Sequence, residues 1–173
     1  MTTSVLVSKV MVWPRFEFDG WQGHYRRMAR WLNRLFAVAN KSEPTMDEQI
    51  DYALAYFQAA YHLRDYLAAE GVVSKSQLDE LMAATPALRV CRDLCIGAKH
   101  RKINSPSVDP MPSILRVYSP GGEWPEDWHL IIKAGEIFDL VTLATECMTA
   151  WNAFLTRYNL DPHGLSPLAS KGS

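Results

Sequence analysis

Two short segments carry side chains that could do acid–base chemistry. In the first, His62 and Asp65 are three residues apart, and Gln58 lies four residues before the histidine. A helix would bring all three to one face, where the carboxylate can hold one imidazole nitrogen and leave the other for proton transfer. A structural role is the commoner one for such a pair, because a histidine buried in an apolar pattern needs a hydrogen-bond partner.

The second segment runs from Cys91 to His100 and places Asp93 two helical turns before His100. Packed antiparallel, the two segments would bring both histidines and both carboxylates together. Lys99 and Arg101 flank His100 and, with Arg92, put positive charge at that end of the helix. The candidate catalytic residues are therefore His62, Asp65, Arg92, Asp93, Lys99 and His100. A lysine and a histidine at a helix end also complement the helix dipole, so a structural interpretation stays open here too.

Apolar residues recur at helical spacing over most of the chain. Helices are predicted at 21–39, 46–69, 74–82, 86 to about 100, and 136–158. Alternating apolar residues at 114–118 and 128–132, separated by turn residues, predict two antiparallel strands. The fold class is thus mainly α, an antiparallel bundle of four to five helices with an inserted two-stranded β-hairpin before the last helix.

The pattern also divides the chain into three parts. Residues 1–20 are predicted to form an extended arm, residues 21–158 the helical bundle with the hairpin at about 113–133, and residues 159–173 a disordered tail. Trp124 and Trp128 lie near the hairpin tip, where they are candidates for an exposed contact with a protein partner.

Composition restricts the function classes. The chain has 173 residues, 48% hydrophobic and 21% charged, with a net charge of −1, so nucleic acid would have to meet a local basic patch. The first twenty residues lack the run of apolar residues that a signal peptide or a membrane span needs. Three cysteines without metal-ligand spacing indicate reduced core thiols. We therefore expect a cytoplasmic, soluble protein without a membrane partner.

Two segments of the chain resemble a family of small bacterial and phage proteins with HEPN-like helical bundles. They run from Phe57 to Tyr66 and from Cys91 to Cys95, the second being followed by Lys99 and His100. The resemblance covers roughly residues 21–157 and includes Trp151 in the last helix. It implies a homodimer and a metal-independent endoribonuclease or RNA-binding protein of the toxin or defence type. HEPN ribonucleases carry an arginine and a histidine with four to six residues between them, whereas Arg92 and His100 have seven.

Two other functions compete with RNA cleavage. A non-catalytic protein-interaction module is favoured by the near-neutral charge, the altered arginine–histidine spacing and the tryptophans near the hairpin tip. A metal-dependent hydrolase at the same histidines and carboxylates is chemically allowed, although its ligands would come from two separate segments. The prediction assigns no metal and no cofactor.

Overall fold

Helices dominate the part of the chain that the structure describes, with a small sheet between the fourth and fifth of them. The computed structural model describes residues 20–39, 44–100, 102–118 and 128–164, except for the side chains of Tyr118, Trp128 and His129. Its elements are, in order, α1 (Gly20–Ala39), α2 (Met46–Ala69), α3 (Lys75–Ala84), α4 (Pro86–Lys99), β1 (Ser113–Tyr118), β2 (Trp128–Ala134), β3 (Glu136–Asp139) and α5 (Leu140–Arg157).

Local signals set most helix ends. Thr45 caps α2 by accepting a hydrogen bond from the backbone N–H of Glu48, and Ser74 with Gln77 forms a complete capping box on α3. Pro86 stands in the first turn of α4, where its missing N–H costs nothing. Gly71 has a φ of 65° just after α2, a conformation that favours glycine.

The start of α1 is fixed by a contact from α2. The backbone N–H of Trp21 donates to Glu70 Oε1 at 2.6 Å, so a carboxylate sits where the helix dipole favours negative charge. Gly20 has a φ of 52°, and a Cβ at this position would lie 2.5 Å from the same carboxylate oxygen. Residue 20 therefore has to be glycine if α1 and the end of α2 are to keep this approach.

The core lies between α1, α2, α4 and α5, and hydrogen bonds from two buried aromatic side chains connect α2 to α5. Trp151 is fully buried and donates from Nε1 to the Ala60 carbonyl at 2.9 Å, which ties α5 to α2. The Tyr56 hydroxyl donates to the Ala144 carbonyl at 2.6 Å across the same contact. These bonds hold α5 at one rotation about its axis, because apolar packing alone is not directional.

The sheet differs from the prediction, since it has three strands rather than two. β1 pairs antiparallel with β2, with Ile114 opposite Ile132, and β2 pairs antiparallel with β3, with Ile132 opposite Phe138. The predicted start of the last helix at Glu136 is wrong. Residues 136–139 form β3 instead, and α5 begins only after Asp139, whose side chain accepts from the Thr142 N–H.

Several predictions fall on residues outside the described ranges: the N-terminal arm up to residue 19, the hairpin tip with Trp124, and the tail from residue 165. Residues 159–164 are described and contact α1, since Arg26 Nη1 donates to the Pro162 carbonyl and the His163 ring meets Tyr25 edge-on. Within the described ranges, no helix has the length and apolar character needed to cross a membrane.

Candidate functional site

A cavity of about 470 Å³ opens between α1 and α2, and we call it the α1–α2 groove. Its walls combine aromatic, cationic and titratable side chains: His24, Arg27 and Trp31 from α1, and Gln58, His62, Asp65 and Tyr66 from α2. A volume of this size suits a small organic group such as a nucleoside. The two helices run side by side. On each helix, residues that are one turn apart face the same side and together form one wall of the groove.

The predicted pair of His62 and Asp65 is present. His62 Nδ1 lies 2.9 Å from Asp65 Oδ2, within α2 and at the rim of the groove. Asp65 is also 3.7 Å from Arg64 Nε, and Arg64 in turn binds Asp79 at 2.9 Å. The Asp65 carboxylate can only accept, so Nδ1 carries a proton in this contact.

The second ring nitrogen of His62 faces α4. His62 Nε2 lies 3.7 Å from Cys95 Sγ, and burial raises the pKa of the Cys95 thiol, so the sulfur carries its proton at neutral pH. When the imidazole carries its proton on Nδ1 alone, the thiol is the donor in this contact and Nε2 the acceptor. Cys95, His62 and Asp65 thus form a chain of thiol, imidazole and carboxylate that runs from the α2–α4 interface to the groove rim.

His24 is the most buried titratable group of the groove, with 5% of its surface exposed. Its Nε2 lies 2.8 Å from the Ala59 carbonyl, and its ring stacks on Tyr66 with centroids 4.2 Å apart. Burial lowers its pKa to about 4, with the Ala59 bond opposing this shift and the charge of Arg27 adding to it. His24 is therefore a neutral imidazole at physiological pH.

Asp93 does not serve the site that the sequence predicted. It is fully buried, and its carboxylate accepts three backbone N–H groups, from Ser107 at 2.9 Å, Val108 at 2.6 Å and Asp109 at 3.0 Å. Arg92 Nη1 adds a fourth bond at 2.8 Å. Asp93 fastens the loop that follows α4 to the helix itself, and it is not a partner of His100.

The other α4 residues also lie away from the groove. Arg92 Nη1 binds Asp93 and the Ser107 hydroxyl, while His100 is the exposed residue that ends α4 through its N–H bond to the Ile96 carbonyl. Lys99 is exposed in the last turn of the same helix. The predicted convergence of both histidines and both carboxylates is thus not observed. Across the described ranges, no group of three or more His, Cys, Asp or Glu residues is placed to hold a metal ion.

The basic face of α1 continues outward from the groove. Arg30 and Arg34 are exposed, and the Arg34 guanidinium lies over the Trp31 ring at 4.6 Å from its centroid. Such a pair presents a cation and an aromatic face together. Arg27, closer to the cavity, adds a further positive charge.

No known family model, no curated protein and no solved structure matches this chain.

Sequence reasoning missed His24, Trp31, Tyr66 and Cys95 as parts of the site. One signal was available for His24, because it lies between Trp21 and Met28 on the stripe that α1 buries. A polar residue in such a stripe requires a partner. The sequence around Cys95 does not indicate a role in the site, because a cysteine in an apolar pattern is typical of a core residue.

Proposed function

We propose that the α1–α2 groove binds single-stranded RNA. The observation that carries this proposal is the combination on α1 of Trp31, stacked under Arg34, with Arg27 at the cavity wall and Arg30 exposed beside it. Single-strand binders combine a cationic track for the backbone with aromatic rings for the bases. The net charge of −1 makes this local patch the attraction for a polyanion.

Metal-independent cleavage of the bound RNA is a further part of the proposal. The ribose 2′-oxygen bonds to the adjacent phosphorus as His62 takes its proton, the bond from phosphorus to the 5′-oxygen breaks, and that oxygen takes a proton from water. Asp65 orients His62. Cleavage requires the ribose hydroxyl to replace the Cys95 thiol at Nε2, a contact that is long at 3.7 Å. Binding needs no such exchange. The geometry therefore supports RNA binding more directly than it supports RNA cleavage.

The HEPN-like assignment is part of the same proposal. It is supported by the mainly helical fold and by the resemblance of the segments in α2 and α4 to HEPN-like proteins. We also propose a cytoplasmic homodimer. All three cysteines are buried free thiols, which agrees with a reducing compartment. Sedimentation velocity tests the dimer, and a monomer at every accessible concentration would contradict it.

Fluorescence anisotropy with a labelled single-stranded RNA in EDTA tests the binding proposal. Arg30→Glu and Arg34→Glu should each weaken binding and reduce its salt dependence, because each removes a phosphate contact. Lys75→Glu is the matched control, an equal charge reversal at an exposed position at the start of α3. Equal affinity in all four proteins would contradict the proposal.

Gel analysis of the same RNA, still in EDTA, tests cleavage. His62→Ala should abolish product formation, whereas His100→Ala should leave it unchanged because His100 lies outside the groove. Loss of activity in His100→Ala alone would instead favour a site at the end of α4.

A second candidate, a non-catalytic protein-interaction module, is favoured by the sheet. Leu115, Ile131 and Ile137 share one face by register, and Ile137 is 71% exposed there. An exposed apolar strand face is typical of a binding surface. A pull-down that is lost in Ile137→Asp and kept in Arg30→Glu would support this candidate, and the reverse pattern would support RNA binding.

A further inference from the structure

One face of the sheet is apolar and uncovered in the single chain. Side chains alternate between the two faces of a strand, and Ile132 of the middle strand is fully buried on the core side. The residues at alternate positions share the opposite face by register. We call five of them the outer sheet face: Leu115, Ile131, Lys133, Ile137 and Asp139. Ile137 is 71% exposed and Leu115 39%, so apolar surface here is in contact with water.

Two opposite charges accompany the apolar residues on this face. The register pairs Lys133 with Ile137 and Ile131 with Asp139, so the four positions form a rectangle. The two isoleucines occupy one diagonal of it, and the two charged residues occupy the other. Lys133 and Asp139 are exposed, and among the described residues neither takes part in a salt bridge. The face therefore carries both members of a charge pair with apolar surface between them.

The pattern of these four side chains is complementary to itself. A second copy can lie against the face with a two-fold axis along the Ile131–Ile137 diagonal. Each isoleucine then meets the same residue of the other copy, and Lys133 of each copy meets Asp139 of the other. Asp139 keeps Oδ2 for this contact, because it caps α5 through Oδ1. Both charges are paired in such a contact, and the apolar surface leaves water.

We infer that two copies of this chain associate through the outer sheet face. This inference rests on the homodimer proposed above and names its interface, which shares no residue with the α1–α2 groove. Three strands about 5 Å apart make a patch only about 15 Å wide, so the buried area is at the low end for specific interfaces and the dimer is weak. A face that is buried in this way is not available to a different protein.

Sedimentation velocity at protein concentrations from about 1 to about 200 µM tests the inference. Ile137→Asp would bury an unpaired carboxylate in the contact, so it should raise the dissociation constant of the dimer at least about a hundredfold. The variant monomer should stay folded, because Ile137 is mostly exposed in the single chain, and circular dichroism checks this. Val72→Asp is the matched control, the same change at an exposed position after α2, and it should dimerise like the wild type.

A charge reversal tests the two-fold arrangement. Lys133→Glu would place a carboxylate opposite Asp139 of the other copy and should raise the dissociation constant about tenfold. Asp139→Ser removes the opposing charge and keeps an oxygen that can cap α5, so its addition to Lys133→Glu should recover most of the lost affinity. Lys75→Glu, the same reversal on α3, should change nothing. Equal dissociation constants for Lys133→Glu and the wild type would overturn the arrangement.

The remaining outcomes separate the interface from the dimer itself. An unchanged dissociation constant in Ile137→Asp would overturn the inference and leave the proposed dimer in place through another surface. A wild-type protein that is monomeric at every concentration would overturn both. Capture of a different protein that is lost in Ile137→Asp, by a wild-type monomer, would assign the face to that partner instead. RNA binding is measured separately by anisotropy, so its failure would leave this inference standing.

Discussion

Acidification should destabilise the protein through His24. In the folded state its pKa is about 4, against 6.5 for an ordinary histidine, because burial disfavours the charged ring. The unfolded chain therefore takes up a proton first as the pH falls. Above about pH 6.5 the His24 ring is neutral in both states, so its titration has no effect on stability. Below about pH 4 the free energy of unfolding is lower by the full amount that the two pKa values of His24 define.

The magnitude follows from the separation of the two pKa values. At about 1.4 kcal/mol per pKa unit, the total loss is about 3 kcal/mol, of which about 1.4 kcal/mol is reached by about pH 5.5 and about 2.5 kcal/mol by about pH 4.5. This is a large part of the stability of an ordinary domain. The loss should be steepest between these pH values, where only the unfolded chain is protonated.

Urea unfolding at a series of pH values, followed by circular dichroism, measures the effect. Arg27, His62 and Asp65 face His24 and influence its charge, so the wild-type curve alone does not isolate it. His24→Phe removes the titrating group, and the difference between the two curves gives its contribution. Parallel curves between about pH 6.5 and about pH 4.5 would refute the reasoning.

Three further outcomes follow from contacts elsewhere in the fold. Asp93→Asn should lower the free energy of unfolding by about 2 to 4 kcal/mol in urea titrations, because both carboxylate oxygens accept N–H groups of the loop, whereas an amide has one accepting oxygen and its NH2 group would face an N–H donor. A loss below about 0.5 kcal/mol would contradict the anchoring role. Gly20→Ala should lower the melting temperature, since the residue has a positive φ and its Cβ would meet a carboxylate. Gly97→Ala is its control, because a Cβ there makes only ordinary contacts, and equal shifts would contradict the argument. The Cys95 thiol should react with iodoacetamide more than about tenfold slower in the folded protein than in urea, because burial raises its pKa. Mass spectrometry of the tryptic peptide that spans residues 93–99 measures this rate, and equal rates would contradict the burial of the thiol.

Local patterns predicted the helices well because their causes are local. The capping residues Thr45 and Ser74 and the stripe of apolar residues along α1 act within a few positions of the chain. β3 was missed for the opposite reason. Its four residues continue directly into α5, and only pairing with β2, with Lys133 opposite Ile137, makes them a strand.

In the candidate site, too, the local contacts could be predicted and the contacts with distant residues could not. His62 and Asp65 pair over three residues of one helix, so their spacing was sufficient to predict the contact. Asp93 shows the limit of such reasoning, because its partners lie 14 to 16 residues further along the chain in a loop without regular structure. Spacing within α4 pointed to His100, but three backbone N–H groups outside the helix satisfy this carboxylate instead.

The two histidines of the groove have complementary constraints. His62 has both ring nitrogens occupied, by Asp65 and by the Cys95 thiol, so proton transfer there requires a contact to break. His24 has Nε2 occupied by the Ala59 carbonyl, and its Nδ1 is sealed from solvent without a hydrogen-bond partner among the described residues. Chemistry at His62 thus needs a conformational step, whereas the exposed side chains of Arg30 and Arg34 are accessible to a phosphate in the resting structure. The proposed RNA binding and the proposed cleavage are therefore separable, and the resting geometry supports the first more directly than the second.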